Sequence, residues 1–224
     1  MIYDVHSHAV EHQIGGFLLS IEGTPPVPGG LSFSHLNSMT HGNNFITVRY
    51  VPLVDVVRCA KFDDAILYFH FRRENILVLD LINFLKNNCA KLIILDTFSK
   101  FKLDVNDYKK IVSTFPDKIF LLAHGGGYEA LDFIQLVRYS SNCFIDFSAT
   151  QSIFSFGNNR NNLDSYYEGL LLHCFDEPRL SHKILFGSDN PEFDQSRMIK
   201  FYRNHGLISR VNENYLSLIS KLRV

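Results

Sequence analysis

Short apolar runs recur along this chain, and most are followed by a longer segment with the apolar spacing of a helix. The runs are apolar at successive positions, which is typical of strands covered on both faces of a parallel sheet. They comprise residues 2–5, 45–53, 65–71, 92–97, 119–124, 143–148 and 184–187. The helix candidates are residues 75–87, 105–115, 128–139, 163–174 and 210–222. This alternation predicts an α/β fold with parallel strands.

Two architectures fit this alternation, a closed barrel and an open doubly wound sheet. The chain has 224 residues, which is short for a barrel, and we expect a single domain over residues 1–224. The strand candidates are one fewer than an eight-stranded barrel needs. Residues 15–36, which contain the sequence TPPVPGG, are expected to form an irregular loop over one mouth of the domain.

The composition disfavours several classes of partner. The formal net charge is −1 without a basic block, which argues against nucleic acid, because phosphate binding needs clustered Lys and Arg. No apolar run reaches membrane-spanning length and the first is too short for a signal peptide, so we expect no membrane partner and a cytoplasmic protein. The cysteines form no CxxC pair and are expected to be free thiols: Cys59, Cys89, Cys143 and Cys174.

Two histidines end the first apolar run, in the sequence Asp4-Val5-His6-Ser7-His8. Residues two apart on a strand point to the same side, so His6 and His8 project together. Two imidazoles aimed at one point are suitable ligands for zinc or a similar cation. The alternative is a pair of exposed polar residues at a strand end, which the spacing alone does not exclude.

Two further polar residues follow later strand candidates. Asp189 follows the last apolar run, and His124 ends an earlier run and precedes three glycines. Because the carboxyl ends of parallel strands open onto one face, both are expected on the face that receives His6 and His8. Asp189 could instead cap the next helix, with Pro191 in its first turn, and the glycines could serve only a tight turn.

Together these motifs resemble those of the amidohydrolase superfamily, in particular the amidohydrolase-2 group of metal-dependent hydrolases and non-oxidative decarboxylases. The resemblance rests on residues 4–8 (DVHSH), 122–127 (LAHGGG) and 184–191 (ILFGSDNP). Residues 142–148 (NCFIDFS) are similar to the family's penultimate strand, and residues 211–216 (VNENYL) to its closing helix. The resemblance implies a TIM-type (β/α) barrel, distorted or short of one strand-helix unit.

The resemblance also implies roles for individual residues. His6, His8 and Asp189 are implied ligands of a divalent metal, for which zinc is expected. Asp189 is further implied to take the proton from the attacking water, while His124 faces that water or the substrate. The expected activity is hydrolysis of an amide, lactone or ester bond of a small molecule.

The chain departs from the family pattern on its middle strands. Family members offer another histidine or a lysine carbamate there, whereas this chain has Leu95-Asp96-Thr97. Asp96 could serve as an oxygen ligand, or His70 at the end of the third run could approach the metal or the substrate. Arg49, near the end of the second run, is a candidate for binding a substrate carboxylate or phosphate. A surface ion pair is the alternative role for Arg49.

Other functions are compatible with the sequence. A non-oxidative decarboxylase of a small carboxylic acid would use the same site, and a catalytically degenerate barrel could act as a binding protein. A nuclease of the TatD type also begins with His-x-His on a barrel, but the Gly187-Ser188-Asp189 motif and the lack of basic clusters disfavour it. A small-molecule substrate is the expected partner, and a homo-oligomer is compatible with the sequence.

Overall fold

The computed structural model describes residues 2–8, 14–19, 45–71, 75–98, 103–148, 161–190 and 193–223. In these residues seven strands form one sheet in chain order, each parallel to the next. They are β1 (Tyr3–Ser7), β2 (Gly15–Leu19), β3 (Phe45–Tyr50), β4 (Ile66–Phe69), β5 (Leu92–Asp96), β6 (Ile119–Ala123) and β7 (Cys143–Ile145). The predicted parallel strands are confirmed.

Residues 184–190 close the sheet between its two edges. Ile184 pairs in parallel with Ile145 of β7, and Asn190 pairs in parallel with Ser7 of β1. The segment makes isolated bridges to both neighbours instead of a regular strand. The sheet therefore curls into a distorted TIM barrel, in which this segment occupies the eighth position.

β2 lies where we expected an irregular loop, so that expectation is wrong for residues 15–19. The expected distortion of the barrel is confirmed, because residues 184–190 fill the eighth position with isolated bridges. Residues 8–14 alone connect the parallel strands β1 and β2. Two glycines hid β2 from the sequence pattern, because Gly is disfavoured in strands. Gly16 adopts φ 131°, and a Cβ there would lie 1.8 Å from Asp4 O, so only glycine fits this pairing. Residues 20–36 lie outside the described residues.

The predicted helices are confirmed, with ends that shift by a few residues. The helices are α1 (Leu53–Val57), α2 (Val78–Lys86), α3 (Val105–Thr114), α4 (Ala130–Tyr139), α5 (Asn161–Asp176), α6 (Gln195–Asn204) and α7 (Ile208–Leu222), with a 3₁₀ segment at His124–Glu129. None of the helices in the described ranges is long and apolar enough to span a membrane.

Helix α6 was not predicted, and its N-cap corrects one interpretation of the sequence. Asp194 precedes the helix, and its side chain accepts hydrogen bonds from the N–H groups of Ser196 and Arg197. The alternative role of Asp189 as the cap of the next helix is therefore wrong.

Apolar packing fills the barrel and closes its amino end. The interior cluster includes Val5, Phe17 and Ile46 from the first strands, together with Tyr215 and Leu218 of α7. A second apolar layer lies between the strands and the surrounding helices. Because α7 packs against the amino end of the barrel, the carboxyl ends of the strands form the other face, where polar side chains gather.

Candidate metal centre

His6 and His8 lie side by side at the carboxyl end of β1, with ring centroids 5.6 Å apart. The pairing of β1 with β2 shifts register between Asp4 and Ser7. Such an irregularity re-aims side chains, so His6 reaches this end of the barrel although its neighbour Val5 packs in the interior. The His6 side chain is completely buried and that of His8 is 11% exposed.

Asp189 faces both rings. Its Oδ1 lies 3.5 Å from His6 Nε2 and 3.2 Å from His8 Nε2. The residue has φ 58°, a left-handed conformation that is uncommon outside glycine. The Asp189 N–H donates to His6 O at 2.7 Å, which holds this turn against β1. The structure therefore brings the first and last predicted motifs together.

His124 begins a left-handed turn at the end of β6. The φ angles of residues 124–127 are 70°, 62°, 81° and 59°. Only glycine fits after the histidine, because a Cβ at any of the next three positions would lie within 2.4 Å of a phenylalanine ring. The turn places the His124 ring 4.3 Å from the His6 ring, so the glycines serve a turn that also aims a histidine at the site.

Three of these side chains form a group that can hold a metal ion. His6, His124 and Asp189 each offer one ligand atom, and these atoms lie within 4.8 Å of one another. The predicted ligand set contained His8 in place of His124. Because His8 Nε2 lies 3.2 Å from Asp189 Oδ1, three imidazoles and one carboxylate converge on the same place.

The partners behind the rings decide which nitrogen faces Asp189. His8 Nδ1 lies 2.8 Å from Leu19 O, and a carbonyl only accepts, so this nitrogen carries a proton. His6 Nδ1 faces Asp146 Oδ2 at 3.5 Å. His6 Nε2 is buried and has no hydrogen-bond partner within the described part of the chain. Both Nε2 atoms therefore face a carboxylate oxygen, an arrangement that needs a proton or a metal cation between nitrogen and oxygen.

Neighbouring charges shift the pKa values of this site. Burial lowers the pKa of His6, but the Asp146 and Asp189 carboxylates outweigh burial and raise it to about 9. Burial raises the pKa of Asp189, yet the hydrogen bond with His8 and the nearby imidazoles hold it well below its usual range. Burial, and next the charge of His6, lower the pKa of His124. The carboxylates thus draw positive charge to His6.

Asp96 and His70 border this group. Asp96 ends β5 and is 2% exposed. Its Oδ2 lies 3.6 Å from His70 Nδ1, and its Oδ1 lies 3.9 Å from His124 Nε2. The middle strand that lacks a histidine or lysine thus contributes a buried carboxylate beside the candidate metal ligands.

Arg49 is not among the converging residues. Ile46 and Val48 of β3 pack in the barrel interior, so Arg49 points to the outside. Its Nε lies 3.3 Å from Asp64 Oδ2, and its guanidinium carbon lies 5.4 Å from the centroid of the Phe62 ring. The ion pair that was the alternative for Arg49 is present, and we assign it no substrate-binding role.

Sequence reasoning missed three buried polar residues at this end of the barrel. Asp4 accepts hydrogen bonds from the backbone N–H of His6 and from Gln195 Nε2. Asp146 and Ser148 lie behind the histidine rings, with Asp146 Oδ2 3.5 Å from His6 Nδ1. The signal that could have found Asp146 and Ser148 is their spacing of two at a strand end, the same spacing that singled out the first histidine pair.

Comparison with known proteins supports the fold. No protein-family model and no curated protein sequence matches the chain. An uncharacterized TIM-barrel protein from Bordetella bronchiseptica is similar at TM-score 0.59 and 13% identity, over 93% of this chain and 78% of that protein. Amidohydrolase 2 from Bifidobacterium longum subsp. infantis is similar at TM-score 0.58 and 12% identity, over 97% of each chain. Both similarities confirm the fold, a distorted TIM-type barrel.

A third similar structure is that of a decarboxylase. The 5-carboxyvanillate decarboxylase from Sphingomonas paucimobilis is similar at TM-score 0.50 and 10% identity, over 84% of this chain and 70% of that protein. The expected resemblance to the amidohydrolase-2 group is confirmed for the architecture. The reaction must be argued from the side chains at the carboxyl end of the barrel.

Proposed function

We propose that this chain is a metal-dependent hydrolase of the amidohydrolase-2 type, which uses a divalent cation, zinc, to cleave an amide, lactone or ester bond of a small molecule. The convergence of His6, His8 and Asp189 carries the proposal. Imidazole nitrogens with one carboxylate oxygen are a donor set of catalytic zinc sites. We further propose a cytoplasmic location, which the four free cysteines support.

One buried atom supports the fit of these residues to a divalent cation. His6 Nε2 is buried, has no hydrogen-bond partner in the ranges that the structure describes, and faces Asp189 Oδ1 at 3.5 Å. A buried polar atom left unpaired costs roughly 1–3 kcal/mol, and coordination of a cation would remove that cost. His6, His8 and Asp189 would hold the ion, with His124 beside them for a further contact.

The proposed reaction gives each residue a separate task. A bound divalent cation supplies Lewis acidity and lowers the pKa of a coordinated water toward ~7. Asp189 accepts the proton of the attacking water and passes it to the leaving group. The lowered pKa of His124 keeps its ring neutral at neutral pH, so that it can orient the attacking water.

The test combines metal content with activity. We expect stoichiometric metal in the purified protein and hydrolysis of at least one member of a panel of lactones, amides and esters. Replacing His6 and His8 together with Ala should abolish both properties. Asp64→Asn, which removes a buried carboxylate that pairs with Arg49 away from the site, is the matched control and should retain both. A wild-type protein without metal whose hydrolysis survives the double replacement would contradict the proposal.

Non-oxidative decarboxylation of a small carboxylic acid is the second candidate, because the fold is shared with a decarboxylase. The same metal ligands and His124 would serve it. Product analysis separates the two reactions, since decarboxylation releases carbon dioxide and hydrolysis adds water. Stoichiometric metal with neither reaction would instead support a degenerate barrel that binds a ligand.

A further inference from the structure

Asp146 and Ser148 lie behind two of the histidines, on the side away from Asp189. Both follow β7 and both are completely buried. Asp146 Oδ1 accepts the backbone N–H of Ser148 at 3.0 Å and that of His124 at 3.2 Å. It also accepts the Ser148 hydroxyl at 2.7 Å. One carboxylate oxygen therefore fixes both the serine and the start of the turn that carries His124.

The Ser148 hydroxyl determines where the proton of His124 lies. A hydroxyl has a single hydrogen, and Ser148 gives it to the Asp146 carboxylate, which can only accept. The same oxygen lies 2.9 Å from His124 Nδ1, so here it must accept. His124 consequently carries its proton on Nδ1 and leaves the lone pair on Nε2.

Asp146 acts on His6 through its second oxygen. Asp146 Oδ2 faces His6 Nδ1 at 3.5 Å and, within the described ranges, has no hydrogen-bond partner of its own. An ionised carboxylate has no hydrogen to give, so the proton between these atoms belongs to His6 Nδ1. Gly187 makes the approach possible, because a Cβ there would lie 2.7 Å from Asp146 Oδ1 and 2.9 Å from His6 Cβ.

We propose that Asp146 and Ser148 are positioning residues that hold a proton on Nδ1 of His6 and of His124, so that Nε2 is the atom by which each ring meets one cation. The benefit of this arrangement rests on the proposed metal-dependent function, whereas the tautomer itself does not. Carboxylate partners of metal-binding histidines orient the ring in the same way, and their loss typically weakens metal binding by about 10–100-fold.

Nitrogen NMR of the metal-free protein tests the tautomer directly. Long-range ¹H–¹⁵N correlation spectra at pH 8 should show His124 as neutral imidazole protonated on Nδ1. Ser148→Ala removes the acceptor, so we expect a mixture of the two tautomers at His124. Ser148→Thr keeps a hydroxyl and should restore the wild-type spectrum. A His124 ring protonated on Nε2 in the wild type, or an unchanged spectrum in Ser148→Ala, would overturn the proposal.

Metal affinity tests the consequence. Titration with Zn²⁺, followed by competition with a chelating dye, should give about 10–100-fold weaker binding for Ser148→Ala and a value within about 3-fold of wild type for Ser148→Thr. Asp146→Asn should weaken binding more than Ser148→Ala, because its amide N–H would face His6 Nδ1 and drive that proton to Nε2. Asp64→Asn should bind as tightly as wild type.

The two proposals fail in different ways. If the wild type binds no metal but His124 has the expected tautomer and loses it in Ser148→Ala, the proposed function is wrong and the positioning role of Ser148 stands. If metal binds and all four variants bind it equally, the positioning role is wrong and metal dependence stands. Circular dichroism of each variant confirms that the fold is retained before either conclusion is drawn.

Discussion

The two ends of the barrel both bury polar side chains, but they differ in how those side chains are paired. At the amino end, Lys183 Nζ donates to Val137 O and to Ser140 O, each at 2.8 Å. Lys118 Nζ likewise donates to two backbone carbonyls at 2.9 Å. These lysines satisfy carbonyls at the ends of helices and loops, so the amino end uses its buried cations to hold the scaffold.

The carboxyl end arranges similar groups with their polar atoms facing one another. His6 Nε2 has no hydrogen-bond partner among the described residues and faces a carboxylate oxygen. His124 and Asp189 adopt left-handed backbone conformations, which cost free energy and persist only where surrounding structure imposes them. The buried lysines at the amino end are paired with backbone carbonyls, whereas the carboxyl end brings imidazole and carboxylate atoms face to face, as a candidate ligand site requires.

Asp189→Asn should give the largest effect, which should fall on metal binding and activity at the carboxyl end. Asn tolerates the left-handed conformation, so the turn should survive while the charged ligand is lost. We expect loss of bound metal and a fall in activity of about 10³-fold or more, measured by elemental analysis and steady-state kinetics. The metal-free protein should stay folded but lose about 1–3 kcal/mol of unfolding free energy in urea titrations, because the low pKa of Asp189 means that its charge stabilises the folded state. Stoichiometric metal in purified Asp189→Asn would contradict the assignment of Asp189 as a ligand.

Lys183→Met should give the next largest effect and should act on the amino end alone. A buried carbonyl, Val137 O, and a partly buried one, Ser140 O, would lose a charged donor, so the free energy of unfolding should fall by about 2–3 kcal/mol. Zn²⁺ affinity of the folded protein should not change. Lys86→Met, at an exposed position in the last turn of α2, is the control and should alter neither quantity. A loss of metal binding in Lys183→Met would show that the two ends are coupled.

The smallest effect is expected from pH, which should change both the unfolding free energy and the Zn²⁺ affinity through His6 at the carboxyl end. His6 has a pKa raised from 6.5 to about 9, so its protonation stabilises the metal-free protein fully below pH 6.5 and is lost as pH rises through 9. We expect unfolding free energy to fall by about 1–3 kcal/mol over that interval, with a flatter profile in His6→Ala. Zn²⁺ affinity should rise over the same interval, because the metal competes with the proton. Urea unfolding with a chelator measures the unfolding free energy at several pH values, and zinc titrations measure the affinity. Equal dependence of the unfolding free energy on pH in wild type and His6→Ala would contradict the raised pKa of His6.

The sequence predicted most of the fold because its signals are local. Runs of apolar residues identified six of the seven strands and the segment that closes the barrel. The exception was β2, in which Gly16 is required by a close contact with Asp4 that no local pattern reveals. Arg49 was placed at the right strand, but its direction depended on which face of β3 packs inward.

The sequence predicted which donor groups the candidate site contains, whereas the partners of each ring nitrogen depend on how the barrel closes. The period of two along an extended backbone was enough to place His6 and His8 on one side. The partners of the rings were decided by closure of the barrel, which brings Ser148 to His6 across 142 residues and Ser188 to Asp4 across 184. Side-chain periodicity is a property of the local backbone, whereas the direction of a lone pair depends on atoms that only the closed barrel brings into contact.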